Sequence, residues 1–392
     1  MPYLDYAATT PVLDAVVEEM LPFLRSAFGN PSSVYAVGRE AKKGLEEARE
    51  RTAAAIGAEP SEIVFTAGGT EADNLAIKGA AFRARAMRPN ANHVITAAVE
   101  HHAVLHAAEW LEKQGFRVTF LPVNGDGVVD LDALRRALGP ETALVSLMLA
   151  NNEVGTLQPV AEAAALAHGH SRALVHTDAV QALGKVPVDV GALGVDLASF
   201  AAHKIGGPKG TGALYVRRKT PLEAILHGGG QERDLRSGTP NVAGIAGMGV
   251  AAEMAAAEVA AEGPRLAALR DRLQAGVAAL PAVTVNGAGA PRVPGTVNVC
   301  IEGVEGESLL LMLDAKGVAA SSGSACTSGS LEPSHVLLAM GVRPELAHGS
   351  LRLSLGRAST DEDVDTVLEV LPPIVERLRG IGSIGSAVGA RA

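Results

Sequence analysis

Cysteine is scarce in this chain: two in 392 residues provide no disulfide framework, which points to a reducing compartment, read as the cytoplasm. Basic runs are missing too. With 34 Lys and Arg against 43 Asp and Glu, and no cluster of cations, no surface is suited to nucleic acid or to an anionic membrane. The expected partners are therefore small molecules and other proteins. Met1-Pro2-Tyr3-Leu4-Asp5 has no basic stretch followed by an apolar core, and no apolar run is expected to reach bilayer-spanning length. Aromatic residues are few and carry no functional reading, and no internal repeat is found. What is present is a well-mixed 47% of apolar residues, enough for a sizeable core in a chain long enough for two domains.

Apolar runs alternate with amphipathic segments from about residue 13 to about 258, the pattern of a largely parallel sheet covered by helices. Strands are expected at 62–66, 93–96, 118–121, 143–149, 174–177, 197–201 and 213–216, which makes an α/β fold with one seven-stranded sheet. A long alanine-rich helix after Asn241 is expected to break at Gly263-Pro264, where a second domain would begin. That domain should hold helices at 266–280 and 361–378 and a strand at 296–301. The Gly/Ser-rich tail from Ile381 reads as loose.

The stretch Leu197-Ala198-Ser199-Phe200-Ala201-Ala202-His203-Lys204-Ile205-Gly206-Gly207-Pro208 ends a buried strand in a His-Lys pair and a glycine turn, so Lys204 reaches the rim of the sheet. A lysine amine beside low-dielectric core becomes nucleophilic, and its commonest covalent use is a Schiff base, including one with pyridoxal phosphate. Lysine alone would more often be a solvated surface residue. A second strand, Leu174-Val175-His176-Thr177, ends in Asp178 with Gln181 three residues on, and strand ends are where open α/β sheets build sites. Lysine for the aldehyde and an acid for the pyridine nitrogen are what that cofactor needs.

Four further stretches carry chemistry. Ile63-Val64-Phe65-Thr66-Ala67-Gly68-Gly69-Thr70 reads as strand, glycine turn and helix start, a phosphate cradle in which Gly69 and Thr70 hold the anion, although Thr70 would also serve as a plain cap. Gly228-Gly229-Gly230 through Thr239 is a second glycine-rich loop, and sequence alone does not separate a binding loop from an ordinary surface one. Glu100-His101-His102 opens a helix; His102 and His106 share a face, but with no third ligand at a compatible spacing no metal site is expected. Ser321-Ser322-Gly323-Ser324-Ala325-Cys326-Thr327 is a run of small polar residues that cannot pack a core, so its thiol is exposed, whereas Cys300 sits in the alternating strand Thr296–Ile301 as a small buried hydrophobe.

Together with Leu4-Asp5-Tyr6-Ala7-Ala8-Thr9-Thr10-Pro11, these landmarks resemble the cysteine desulfurases of the IscS/NifS group, in the class V aminotransferase branch of the fold-type I pyridoxal-phosphate enzymes, from residue 4 to about 357. The resemblance implies a large domain over 13–258 and a smaller α+β domain formed by 1–12 with 259–392. It implies pyridoxal 5'-phosphate on Lys204, held also by Gly69, Thr70, His101, Asn152, Asp178, Gln181 and His203, with His101 stacked on the ring and active in proton transfer. It further implies that Thr239 reaches the phosphate of a neighbouring subunit, hence a homodimer, and that Arg352 and Asn152 take the substrate carboxylate. Arg357 is read as structural. The family's serine two positions before the His-Lys pair is Ala201 here, a missing phosphate hydrogen bond of roughly 1 kcal/mol.

The implied reaction converts L-cysteine to L-alanine and leaves the sulfur on Cys326 as a persulfide for an iron–sulfur scaffold or a thiolation relay. Two rivals share the lysine and aspartate: an aminotransferase that consumes a 2-oxo acid without needing Cys326, and a non-catalytic partner of sulfur proteins. Selenocysteine is a further candidate substrate.

Overall fold

The structure, a computed structural model, describes residues 1–322 and 332–389. Its main sheet has seven strands: β1 (Ile63–Thr66), β2 (His93–Ala97), β3 (Arg117–Leu121), β4 (Thr142–Ser146), β5 (Leu174–Asp178), β6 (Leu197–Ala201) and β7 (Gly212–Val216). They lie in the order β1-β7-β6-β5-β4-β2-β3. Strands β3, β2, β4, β5 and β6 run parallel, and β7 is antiparallel to both of its neighbours, so β1 points the same way as β6. Six carboxyl ends therefore share one edge of the sheet. The inner strands are buried on both faces because helices cover both, and β3, at the edge, is where an exposed Arg117 is tolerated.

The helices are α1 (Asp14–Arg25), α2 (Ala36–Ala54), α3 (Gly69–Met87), α4 (His102–Glu112), α5 (Leu131–Ala137), α6 (Val160–His170), α7 (Val190–Leu193) and α8 (Val242–Ala278). After them come α9 (Gly306–Asp314), α10 (His335–Ala339), α11 (Pro344–Ala347) and α12 (Asp361–Gly389). A second sheet of β8 (Val283–Val285), β9 (Thr296–Ile301) and β10 (Ser350–Ser354) is antiparallel in the order β10-β9-β8. Leu4 is buried with Val297, Val299, Leu351 and Leu353 of that sheet and with Leu266, Leu269 and Leu273 of α8. On this packing we propose the division of the chain into 13–258 and 1–12 with 259–392.

Three expectations fail, each for a physical reason. Helix α8 does not break at Gly263-Pro264 but runs through it for 37 residues. Pro264 and Ala260 are both exposed, so the carbonyl that proline leaves without a donor faces water. The same helix is also long and apolar enough to cross a membrane, with a mean hydropathy of 1.4 in its most apolar window, against the expectation that no such stretch exists. Its alanines and glycines pack closely on α1 and α2, where Gly249 leaves no room for a Cβ beside Ala48. Third, the Gly/Ser-rich tail continues α12 to Gly389, because extending an existing helix needs no new nucleus.

Candidate active site

Parallel strands deliver the site. The chain leaves β1 into Gly69 and Thr70, β2 into His101, β4 into Asn152, β5 at Asp178 and β6 into His203 and Lys204, all at one edge of the sheet. These residues, with Gln181 and Arg352, line a single cavity of roughly 370 Å³. At one end α3 begins with Gly68 as its cap residue and no side-chain cap, so its first turn faces the cavity with its positive dipole end. Gly68 has φ of +152°, a conformation that glycine adopts without strain. At Gly69 a Cβ would stand 2.8 Å from Val180 Cγ2. Ala201 lines the cavity and brings no hydroxyl to it.

Lys204 Nζ donates to the carbonyls of Ala7 and Ala8, each at 2.7 Å, so the N-terminal segment crosses the mouth of the cavity. Gln181 Nε2 donates to the same Ala7 carbonyl at 2.8 Å, and Lys185 Nζ bonds Gln181 Oε1, which leaves the amide only one orientation. Asp178 Oδ1 accepts the Val180 N–H at 2.9 Å. Burial pushes its pKa up to about 6, while that hydrogen bond and the Lys204 charge pull the other way and favour the anion.

His101 caps α4: its Nδ1 accepts the Ala103 N–H at 3.1 Å, which puts the proton of the neutral ring on Nε2. Burial first, then Lys204, lowers its pKa to about 4. His203, held by Thr9 Oγ1 at 3.1 Å, is lowered to about 4 by burial and then by Lys204. Of the two asparagines, Asn151 builds the turn, donating to the Val99 carbonyl and accepting the N–H groups of Glu153 and Val154. Asn152 lines the cavity and keeps a buried Oδ1 with no hydrogen-bond partner. Arg352, on β10 and 2% exposed, donates to the Asn152 carbonyl at 2.9 Å and to Asp5 Oδ1 at 2.8 Å. Its Nε–H is buried without an acceptor.

One expected residue that the structure describes is not part of this assembly. Thr239 is exposed and lines a separate hollow with Arg236 and Gly238, and Cys326 lies outside the described residues. Arg357 stands outside the cavity in an ion pair with Glu258 at 2.7 Å. Among the described residues no group of three or more His, Cys, Asp or Glu is arranged to hold a metal, although His335 brings its ring to 4.7 Å from that of His102.

The sequence reading missed three residues. Asp73, on α3 and 1% exposed, is a second acid lining the cavity, its pKa pushed well up by burial and then by Asp178. It lies on the apolar face shared with Ala72, Ala76, Ile77 and Ala80, and a charge on such a face was the available signal. Asp5, the partner of Arg352, lies 347 positions away in the chain. Glu153 is buried under the Asn152 turn and accepts the Ser334 hydroxyl. Burial raises its pKa from 4.5 to about 7 against the pull of Ser334 and Arg352.

Because Glu153 binds its proton more tightly folded than unfolded, its stabilising neutral form is fully present below pH 4.5 and is lost as pH rises toward 7. Glu153→Gln keeps an acceptor for Ser334 and removes this titration. The fall in stability between pH 5 and pH 8, read by thermal or denaturant unfolding, should be smaller in the variant by at most roughly 3 kcal/mol.

The whole chain has known relatives. It matches the Aminotransferase class-V family over residues 2–367. The chain belongs to that family. Among its members it is 53% identical to the cysteine desulfurase IscS of Methanosarcina thermophila over 382 residues, 97% of this chain and 94% of the relative. A solved NifS-like protein superposes with a TM-score of 0.87 at 39% identity, covering 97% of this chain and 99% of that one. SspA in complex with cysteine superposes with a TM-score of 0.78 at 36% identity, covering 91% and 99%. This class-V chain thus falls with the cysteine desulfurases, enzymes of a pyridoxal-phosphate family, and its seven-stranded sheet is that fold.

Proposed function

We propose that the cavity binds pyridoxal 5'-phosphate and converts L-cysteine to L-alanine, passing the sulfur to Cys326. The observation that carries this reading is the meeting of Lys204, Asp178 and Arg352 in one cavity whose far end is the uncapped start of α3. The donor set fits the cofactor: the first turn of α3 with Gly69 and Thr70 for the phosphate, anionic Asp178 for the pyridine nitrogen, and Gln181 Nε2 for the ring hydroxyl. When bound, the cofactor supplies an electron sink for the substrate α-carbon.

This chain's own groups do the rest. Arg352 and the free Asn152 Oδ1 orient the substrate, the guanidinium against its carboxylate and the amide on its polar face. The Lys204 amine moves the α-proton. His101, with Nε2–H as its donor and a pKa too low to hold a second proton at pH 7, serves as a neutral partner to the ring and to proton transfer. The Cys326 thiolate attacks the substrate sulfur; the C–S bond breaks, its electrons and a proton stay on carbon to give alanine, and Cys326 becomes a persulfide. The acceptor is then an iron–sulfur scaffold or a thiolation relay. The name of the Methanosarcina relative and the cysteine bound to SspA support the substrate. We further read the chain as a cytoplasmic homodimer, in which exposed Thr239 serves the phosphate of its partner subunit.

The test is anaerobic incubation of the purified protein with L-cysteine and a thiol reductant, measuring alanine and sulfide together. Equal amounts of both are expected. Cofactor absorbance with neither product sinks the desulfurase reading, and turnover of amino-acid and 2-oxo-acid pairs would then make the protein an aminotransferase.

A further inference from the structure

The N-terminal segment is held against the site at both ends. Tyr6 N–H donates to the Ser354 carbonyl, and Ser354 N–H donates to that of Leu4, which lays residues 4–6 alongside β10. Thr10 bonds the His203 carbonyl from both its N–H and its hydroxyl. Between these anchors Asp5 turns its carboxylate onto Arg352 Nη2 at 2.8 Å. The Tyr3 hydroxyl bonds the Asp5 and Thr9 carbonyls and fixes the backbone there.

Arg352 thereby has two of its five N–H donors tied, one on each terminal nitrogen. Asn152 O takes Nη1, Asp5 takes Nη2, and the buried Nε–H has no acceptor. Asp5 itself does not line the cavity, whereas Arg352 does, so the aspartate approaches the guanidinium from outside the binding space. A long arginine side chain without such ties would lose its rotamer freedom only when the substrate arrives, at a cost in affinity.

We propose that Asp5 is a positioning residue for substrate-carboxylate recognition: it accepts a hydrogen bond from Arg352 and fixes the guanidinium so that its open donors face the substrate before binding. This rests on the reading of Arg352 as the carboxylate site. The role belongs to the acceptor oxygen, so an amide in the same place should serve and a methyl group should not.

The experiment is steady-state desulfuration of L-cysteine by the cofactor-loaded enzyme as Asp5→Ala, Asp5→Asn and Arg352→Gln variants, with the absorbance of the bound cofactor recorded for each. Asp5→Ala should raise KM about tenfold with little change in kcat or in the cofactor spectrum. Asp5→Asn should recover most of that loss. An unchanged or lower KM in Asp5→Ala overturns the proposal, and so does an Asp5→Asn as impaired as Asp5→Ala, which would make charge the cause. Arg352→Gln separates the two layers: if it leaves KM unchanged, the carboxylate site is elsewhere. If Arg352→Gln raises KM and Asp5→Ala does not, Arg352 keeps its role and Asp5 has none.

Discussion

Lys204→Ala is expected to stop alanine formation, lowering it by at least ~10²–10⁴-fold, the range over which a positioned proton-transfer group contributes. In the proposed function the amine is lost both as the attachment point for the cofactor and as the base for the α-proton. A second effect follows from the electrostatics. The Lys204 charge holds the pKa of Asp178 down and is the largest influence after burial on His101 and His203. Without it Asp178 binds its proton more tightly than at about 6, so fewer molecules present the anion at neutral pH. Lys204→Arg tells the two effects apart, because it keeps the charge and removes the nucleophile. Both variants should lose borohydride-stable attachment of the cofactor, seen by mass spectrometry of the intact chain. Alanine formation near the parent level in either would show that another group does this work.

The fold was legible where the physics is local. Strands read as short, largely apolar runs, and all seven of the main sheet lie within a few residues of where the runs predict them, with β6 at the same bounds. That strand-end residues would meet in one cavity was legible for the same reason: a run that stops at an acid or a lysine marks a carboxyl end, and parallel pairing brings those ends together. Residues that act through distant contacts were not. Asp5 meets Arg352 only because the N-terminus lies along β10. Asp73 is a site residue only because the first turns of α3 face the cavity. The continuity of α8 through Pro264 depends on which side of the helix faces water, and dipeptide rules do not see that. Thr239 is placed in its role by the resemblance alone, since in this chain it opens onto a different hollow.

The second large effect separates the two cysteines. Cys300 sits on β9, hydrogen-bonded between β8 and β10, with no exposure. Its sulfur accepts from Asn286 Nδ2 at 3.3 Å, and burial pushes the thiol pKa up. The thiolate is the nucleophile, so a thiol held neutral inside a sheet can neither attack a substrate sulfur nor carry it outward. In the proposed function, sulfur transfer therefore falls to Cys326, in a stretch rich in serine and glycine. Cys326→Ala should reduce both alanine and sulfide to the protein-free background while the cofactor absorbance stays as in the parent. Cys300→Ala should keep turnover, since Asn286 Nδ2 also bonds Asn298 Oδ1 at 2.7 Å and is not left unpaired; the lost sulfur costs only stability, about 1 kcal/mol. Mass spectrometry of peptides after L-cysteine without reductant should find the extra sulfur on Cys326. Extra sulfur on Cys300, or full turnover by Cys326→Ala, would refute the assignment of the nucleophile while leaving Lys204 and Asp178 in place.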